Sequence, residues 1–383
     1  MSETFAPSAI IRSPARRIET HYWATLFLLI ALVPLLRAVG LPVKFTWADF
    51  FVTYWFALPA QALFAACILY AAGGPYREAL GPFVGRIKKQ PARLLIQIFL
   101  GAIFVWIVGP VFGVILLVDS IAVLEFVERS KERPGRSLGM CFGVVIPAAY
   151  SFVALILVFA YNDIIALRRY DGSLEAVMNR ADAFLLAGHT VSSVAHAVLA
   201  RRPHLIPVLE VIYFAMFAQI GATIAILALR DGRSMALKFV GTLVTSYYIA
   251  LIIFYLMPAF GPVTICPNHF LIVSPGMKIY ELQRVSLIYL NQLTRQHRID
   301  IVGTDYFIGL PCMHVVQPLI MLWFLRRWKG MMIVLIAYDV LLVPAILLLE
   351  QHYLVDLIAA LPVAALAIAI SGRETGPDQA QHV

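Results

Sequence analysis

The sequence predicts an all-α polytopic membrane protein, and its composition and patterning carry that prediction. Hydrophobic residues make up 61% of the 383 and charged residues only 14%. The mean hydropathy is strongly positive. The apolar residues come in runs of roughly 20, the length at which a helix crosses a bilayer core of about 30 Å. A soluble chain of this size has too much surface to cover with so few charges. One helical membrane domain with additions is therefore expected, not the two or three soluble domains that length alone suggests.

The runs are 22–41, 50–72, 94–127, 138–167, 205–229, 236–259, 311–325, 331–349 and 353–371. The basic N-terminus (Arg12, Arg16, Arg17) lacks a short apolar core with a small-residue cleavage site, so the first run reads as a retained helix. The third run is too long for one straight span and is interrupted at Gly109 and Pro110. A helical hairpin that enters and leaves on one side is expected there.

That hairpin makes the charges consistent. Arg77, Arg86, Lys88, Lys89 and Arg93 fall on one side of the membrane with Arg129, Lys131, Arg133 and Arg136. Arg230, Arg233 and Lys238 join them, as do Arg326, Arg327 and Lys329. The positive-inside rule makes this side cytoplasmic. The same clustering explains the net charge of +8 and argues against a nucleic-acid partner. Two longer stretches then face the other side. The first, 168–204, carries Leu174, Val177, Met178, Ala181, Phe184 and Leu185 at helical spacing and ends near Gly188. The second, 260–310, carries Leu282, Val285, Tyr289 and Leu293. Both are expected to be amphipathic helices on the outer surface or capping the bundle. The polar tail past Ser371 has the composition of a disordered segment.

Few ionisable residues lie inside or beside the apolar runs, and each is a functional candidate for that reason. His314 begins a span that exits into the cluster Arg326–Arg327, and His352 begins the last span. Alternating topology places both at the outer face. Asp356 follows His352 by four residues, which in a helix puts the two on one face. A carboxylate one turn away fixes one ring nitrogen as a donor and leaves the other as a nucleophile. A second histidine opposite it can protonate a leaving oxygen. Together they suit phosphoryl transfer through a phosphohistidine, with His314 and His352 on opposite sides of the phosphoryl group.

The four cysteines, Cys67, Cys141, Cys266 and Cys312, lack metal-type spacing. His189 and His196 stand seven apart without cysteine or carboxylate neighbours. Neither a metal nor a cofactor is expected. No phosphate-binding glycine loop and no serine nucleophile elbow is visible.

The element Pro311–Cys312–Met313–His314, a span, a basic turn, another span and then His352–Tyr353–Leu354–Val355–Asp356 resembles the type 2 phosphatidic acid phosphatase superfamily. Within it, the branch of inositol phosphorylceramide synthases is the most similar. Tyr170–Ser192 and Tyr255–Val263 look like the same branch. The resemblance implies a six-span core over 138–371, with residues 1–137 an N-terminal addition and 372–383 a polar tail. It implies a nucleophile at His352, its partner at Asp356 and a leaving-group acid at His314. The sequence departs from the pattern in several places. Cys312 replaces a small hydroxyl residue, Ala359 and Ala360 stand where glycine is frequent, and Ile346 stands where an arginine often precedes the nucleophile. The basic motifs that grip phosphate are not recognisable. Such a site needs positive charge, and Lys278, Arg284, Arg295 and Arg298 in the outer stretch are the candidates.

The expected protein is a multi-pass membrane enzyme with its active site on the non-cytoplasmic face and a lipid substrate as its partner. It transfers a phosphate-containing group in head-group synthesis. The alternative is a lipid-phosphate phosphatase of the phosphatidic acid or polyprenyl phosphate type. A transporter would show internal repeats and broken helices at mid-membrane, whereas the one break, Gly109–Pro110, is far in sequence from the histidines. A scaffold without activity is the remaining reading, motivated by the missing basic motifs.

Overall fold

The computed structural model describes residues 171–264 and 308–372 continuously, with scattered positions before 166 and the pair Ile299–Asp300. Seven helices are complete among the described residues: α1 (Ser173–Leu185), α2 (Val191–Leu199), α3 (Leu205–Arg230), α4 (Arg233–Leu256), α5 (Met313–Leu325), α6 (Lys329–Leu348) and α7 (Leu354–Gly372). Helical positions within 144–165 fall where the run 138–167 predicts a span, and Val144, Ala154 and Val158 are buried in the same core. The one strand pairing among the described residues is two residues long, Val43–Lys44 parallel to Ile299–Asp300. The protein is an all-α membrane protein. Apart from helical positions at 95, 96, 99 and 102, the hairpin expected over 94–127 lies outside the described residues, as do Leu282, Val285, Tyr289 and Leu293 of the amphipathic pattern expected within 260–310.

The helices form because the runs are long, apolar and mostly free of charge. α3, α4, α6 and α7 are each long and apolar enough to cross a membrane. α5 lies at the centre and touches α3, α4, α6 and α7. Its residues are buried on nearly every side, among them Val316, Ile320, Met321 and Leu325, as expected of a helix that is hydrophobic all round. α6 has the opposite character. Ile333, Val334, Val340 and Leu341 are exposed, a face suited to lipid. Pro318, Pro344 and Pro362 sit inside α5, α6 and α7, which membrane helices tolerate where neighbours supply partners.

Connectivity separates the two ends of the bundle. The turns from α3 to α4 and from α5 to α6 carry Arg230, Arg233, Arg326, Arg327 and Lys329, and the Arg230 guanidinium lies 4.5 Å from the Trp328 ring centre. The opposite end carries His314, His352, the end of α4 and the start of α7.

Two acidic residues hold α1 to that opposite end. α1 starts after Gly172, where Asp171 accepts hydrogen bonds from the Ser173 N–H and hydroxyl. It ends at Gly188, whose φ of 95° is one that glycine adopts without strain. α2 then begins with a reciprocal cap in which Thr190 and Ser193 each accept the other's backbone N–H. Val177, Phe184 and Leu185 are exposed, while Glu175 and Asp182 are buried beside Met178. The physical reason is that backbone N–H groups in the layer below require acceptors, which apolar side chains cannot supply.

Candidate active site

Three pieces of backbone outside the α-helices meet beneath α1. They are 257–264 after α4, 308–312 before α5 and 349–353 before α7. Such backbone is stable near a membrane only where protein satisfies it. The Gly309 N–H donates to the Ala259 carbonyl at 2.7 Å, and the Cys312 N–H donates to the Asp356 carbonyl at 3.1 Å. The approaches are close enough to require glycine. A Cβ on Gly309 would sit 2.7 Å from the Ala259 carbonyl oxygen, and one on Gly261 would sit 2.6 Å from the Gln351 carbonyl oxygen. Gly261 also has a φ of 118°, a conformation that side-chain-bearing residues rarely adopt. α5 has thirteen residues and rises about 20 Å, less than a full bilayer core of about 30 Å.

The two histidines meet at this junction. His314, in the first turn of α5, places Nδ1 3.3 Å from Nε2 of His352. Both side chains are buried, at 3% and 5% exposed. The Tyr213 ring of α3 lies against His314 with centroids 4.4 Å apart. His352 Nδ1 donates to the Gly309 carbonyl at 2.8 Å. A carbonyl can only accept, so Nδ1 carries the proton, and in the neutral ring Nε2 presents its lone pair towards His314. The rings are in direct contact and do not flank an open gap. A phosphoryl group reaching Nε2 must take the place of the His314 contact.

Asp356 is present at the site, but not in the way that its spacing predicts. The final helix starts at Leu354, so His352 precedes it and the two residues do not share a helical face. Asp356 sits in the first turn of α7, and its Oδ2 accepts the Tyr353 N–H at 2.8 Å. That cap brings Oδ2 to 3.6 Å from His352 Nδ1, an ion-pair distance, while the shorter hydrogen bond to that nitrogen belongs to Gly309. Burial opposes a charged His352 ring, but the Cys312 sulfur and the Asp356 carboxylate outweigh it and move the imidazole upward from its ordinary range.

The structure adds two acidic residues that the sequence patterning missed. Glu175 Oε1 accepts the Phe260 N–H at 2.6 Å, and Oε2 accepts the Tyr353 hydroxyl at 2.9 Å. Asp182 accepts the N–H groups of Leu354 and Val355 at 3.1 and 3.2 Å. These are the first amides of α7, which have no partner within their own helix. Asp182 therefore caps α7 from another helix and Asp356 caps it from within. Met178 and Leu174 pack beside them on Ala259, Leu310 and Tyr353. Burial, opposed by the Phe260 amide and the Tyr353 hydroxyl, pushes the Glu175 carboxyl up to about 7. Burial also raises Asp182, against the pull of the Leu354 and Val355 amides.

Of the sequence candidates, His314, His352 and Asp356 come together. Lys278, Arg284, Arg295 and Arg298 lie outside the described residues. His189, between α1 and α2, and His196, in α2, are exposed. Cys312 is fully buried beside the histidine pair. Its sulfur and one nitrogen of each ring lie within 4.8 Å of one another, and this is the one group of potential metal ligands found among the described residues.

The fold and the site define a class, a helical membrane protein with a buried histidine pair at one end of its bundle. A family model described as the PAP2 superfamily matches residues 178–370, half of the chain, and the protein belongs to that superfamily. Its members are phosphatases or phosphotransferases acting on lipid-type substrates. The matched region includes His314, His352, Asp356 and Asp182 and begins just after Glu175. No curated protein and no solved structure matched the chain.

Proposed function

We propose that the protein is a lipid phosphotransferase of head-group synthesis that works through a phosphohistidine at His352. The observation that carries this reading is the direct approach of His314 Nδ1 to a His352 ring whose other nitrogen is committed to Gly309. His352 Nε2 attacks phosphorus, and the bond from phosphorus to the leaving oxygen breaks. His314 enters the step as the imidazolium, holding the pair's extra proton so that the His352 ring is neutral when it attacks, and gives that proton to the leaving oxygen. The phosphorylated ring is positively charged, and the nearby Asp356 carboxylate stabilises it. In the second half the acceptor hydroxyl gives its proton to His314 and attacks phosphorus, which frees His352.

The phosphate also needs cationic groups. Lys278, Arg284, Arg295 and Arg298 are assigned that role here. The stretch that carries them starts after Thr264 and ends before Ile308, and both flanking segments lie at the histidine junction. Residues 1–137 are taken as an addition to a six-span core over 138–371. Burial of both histidines favours a hydroxyl acceptor drawn from the membrane over bulk water, so transfer is preferred to hydrolysis. Inositol phosphorylceramide synthesis is the pattern that the sequence resembles.

The test is product analysis with purified protein and a panel of head-group-labelled phospholipids, with and without lipid acceptors. A labelled acceptor is the expected result. Release of free phosphate at the same rate with or without acceptor would replace transfer by hydrolysis.

The basic turns at the far end of the bundle orient the site to the non-cytoplasmic face. A single cysteine placed within 280–300 of a chain lacking its native cysteines should react with a membrane-impermeant reagent applied from that face. Reaction from the cytoplasmic side alone would reverse the orientation.

A further inference from the structure

We propose that Cys312, His314 and His352 form a site for one zinc ion, which competes with the lipid's phosphate for the two imidazoles. The competition rests on the function proposed above, whereas the site itself rests on geometry.

Zinc takes thiolate and imidazole ligands in a tetrahedron, with nitrogens at about 2.0–2.1 Å and sulfur at about 2.3 Å. Two nitrogens so placed lie about 3.3 Å apart by the same geometry, and His314 Nδ1 and His352 Nε2 are 3.3 Å apart. The Cys312 sulfur completes a group spanning no more than 4.8 Å. Small side-chain rotations close that group onto one ion and leave a fourth position for water or a phosphate oxygen. The shell around it is also of the right kind. A metal-bound histidine ordinarily gives its other ring N–H to a carbonyl or carboxylate, and His352 Nδ1 donates to the Gly309 carbonyl with Asp356 at 3.6 Å. All three ligand side chains are buried.

Binding moves the thiol proton of Cys312 to solvent and uses one lone pair from each neutral ring. Thiolate and imidazole select a soft or borderline ion over magnesium or calcium. Bound zinc occupies Nε2 of His352 and blocks the attack on phosphorus.

The full chain in detergent would be stripped with a chelator and titrated with cobalt(II), then with zinc. One cobalt per chain is expected, with intense tetrahedral bands in the visible and a thiolate charge-transfer band in the near ultraviolet. Zinc should displace it one for one. Cys312→Ser and Cys312→Ala should each lose the charge-transfer band and weaken zinc binding by about 100-fold or more, at least the loss known for outer-shell partners. Absence of the band in the wild type, or its survival in both variants, would overturn the site. Zinc-edge X-ray absorption of the wild type needs no variant, and a ligand shell without sulfur would also overturn it. In the turnover assay zinc should raise the apparent KM for lipid, and unchanged turnover at full occupancy would refute competition. A cobalt band in a chain that transfers no phosphate with any lipid would leave the site standing and remove the proposed function.

Discussion

His352→Ala is expected to abolish labelling of the protein by donor phosphate and to lower turnover by roughly 10³-fold or more, the scale reached when a nucleophile acting as a unit with its partners is lost. Alanine also removes the Nδ1–H that donates to Gly309 at 2.8 Å, so part of the change could arise from a loosened 308–312 segment. His352→Gln separates the two effects. Its amide N–H can still reach towards the Gly309 carbonyl, while it has no nucleophilic nitrogen. Thermal stability should recover towards wild type in His352→Gln, and turnover should not. His314→Ala should lower turnover by roughly 10²- to 10⁴-fold, the usual range for a general acid or base. Its defect has a different signature. A substrate whose leaving group is stable as an anion does not need the His314 proton, so His314→Ala should regain most of the first half-reaction with an aryl phosphate. His352→Ala should regain none. Acid-labile phosphate on the His352→Ala protein at the wild-type level would sink the phosphohistidine mechanism.

What could be read in advance followed from the scarcity of polar residues in apolar surroundings. The five helices α3 to α7 were visible as runs because a bilayer demands hydrophobicity and, for four of them, length, and their basic turns because charge is excluded from the core. His314 and His352 stood out for the same reason. The relation of His352 to Asp356 was half visible. A spacing of four residues brings the groups near each other, but the helix begins between them, and the contact arises from a cap. Glu175 and Asp182 are seven residues apart, one face of a helix, with Met178 on that face between them. That signal was in the sequence. Its direction was not, because a helix offering both acids and apolar side chains can turn either way. What turns α1 inward is the set of amides that its acids accept, at the start of α7 and at Phe260, and neither is visible until the tertiary fold is known. Cys312 escaped notice as a ligand because its partners are two and forty residues away, a spacing that no metal motif uses.

Loss of the two inward carboxylates is expected to have the second-largest effect, although neither touches the reacting nitrogens. Asp182→Ala leaves the Leu354 and Val355 amides without acceptors, and the loss of a cap costs about 0.5–2 kcal/mol. Glu175→Ala removes the buried acceptor of the Phe260 N–H and the Tyr353 hydroxyl, and losing a hydrogen bond to a charged group costs about 1.5–3 kcal/mol. The double variant should release α1 from the 349–353 turn that aims His352. Displacements of about 1 Å can cost 10²-fold in rate, so kcat should fall by roughly that factor with a smaller change in KM. A purely structural role would lower the amount of folded protein without changing kcat per folded molecule, and the kcat measurement decides between the two. The pH dependence gives an independent check. Burial holds the Glu175 carboxyl at about 7, above its unfolded value near 4.5, so the folded state binds the extra proton. Its contribution to stability is full below pH 4.5 and is lost as pH rises through 7. Wild-type kcat and melting temperature should therefore decline above pH 7. Glu175→Gln, which mimics the protonated group and keeps an oxygen for the Phe260 amide, should show a flatter decline. Parallel profiles for the two proteins would show that α1 is held by its apolar contacts and by Asp182, with no part played by the Glu175 proton.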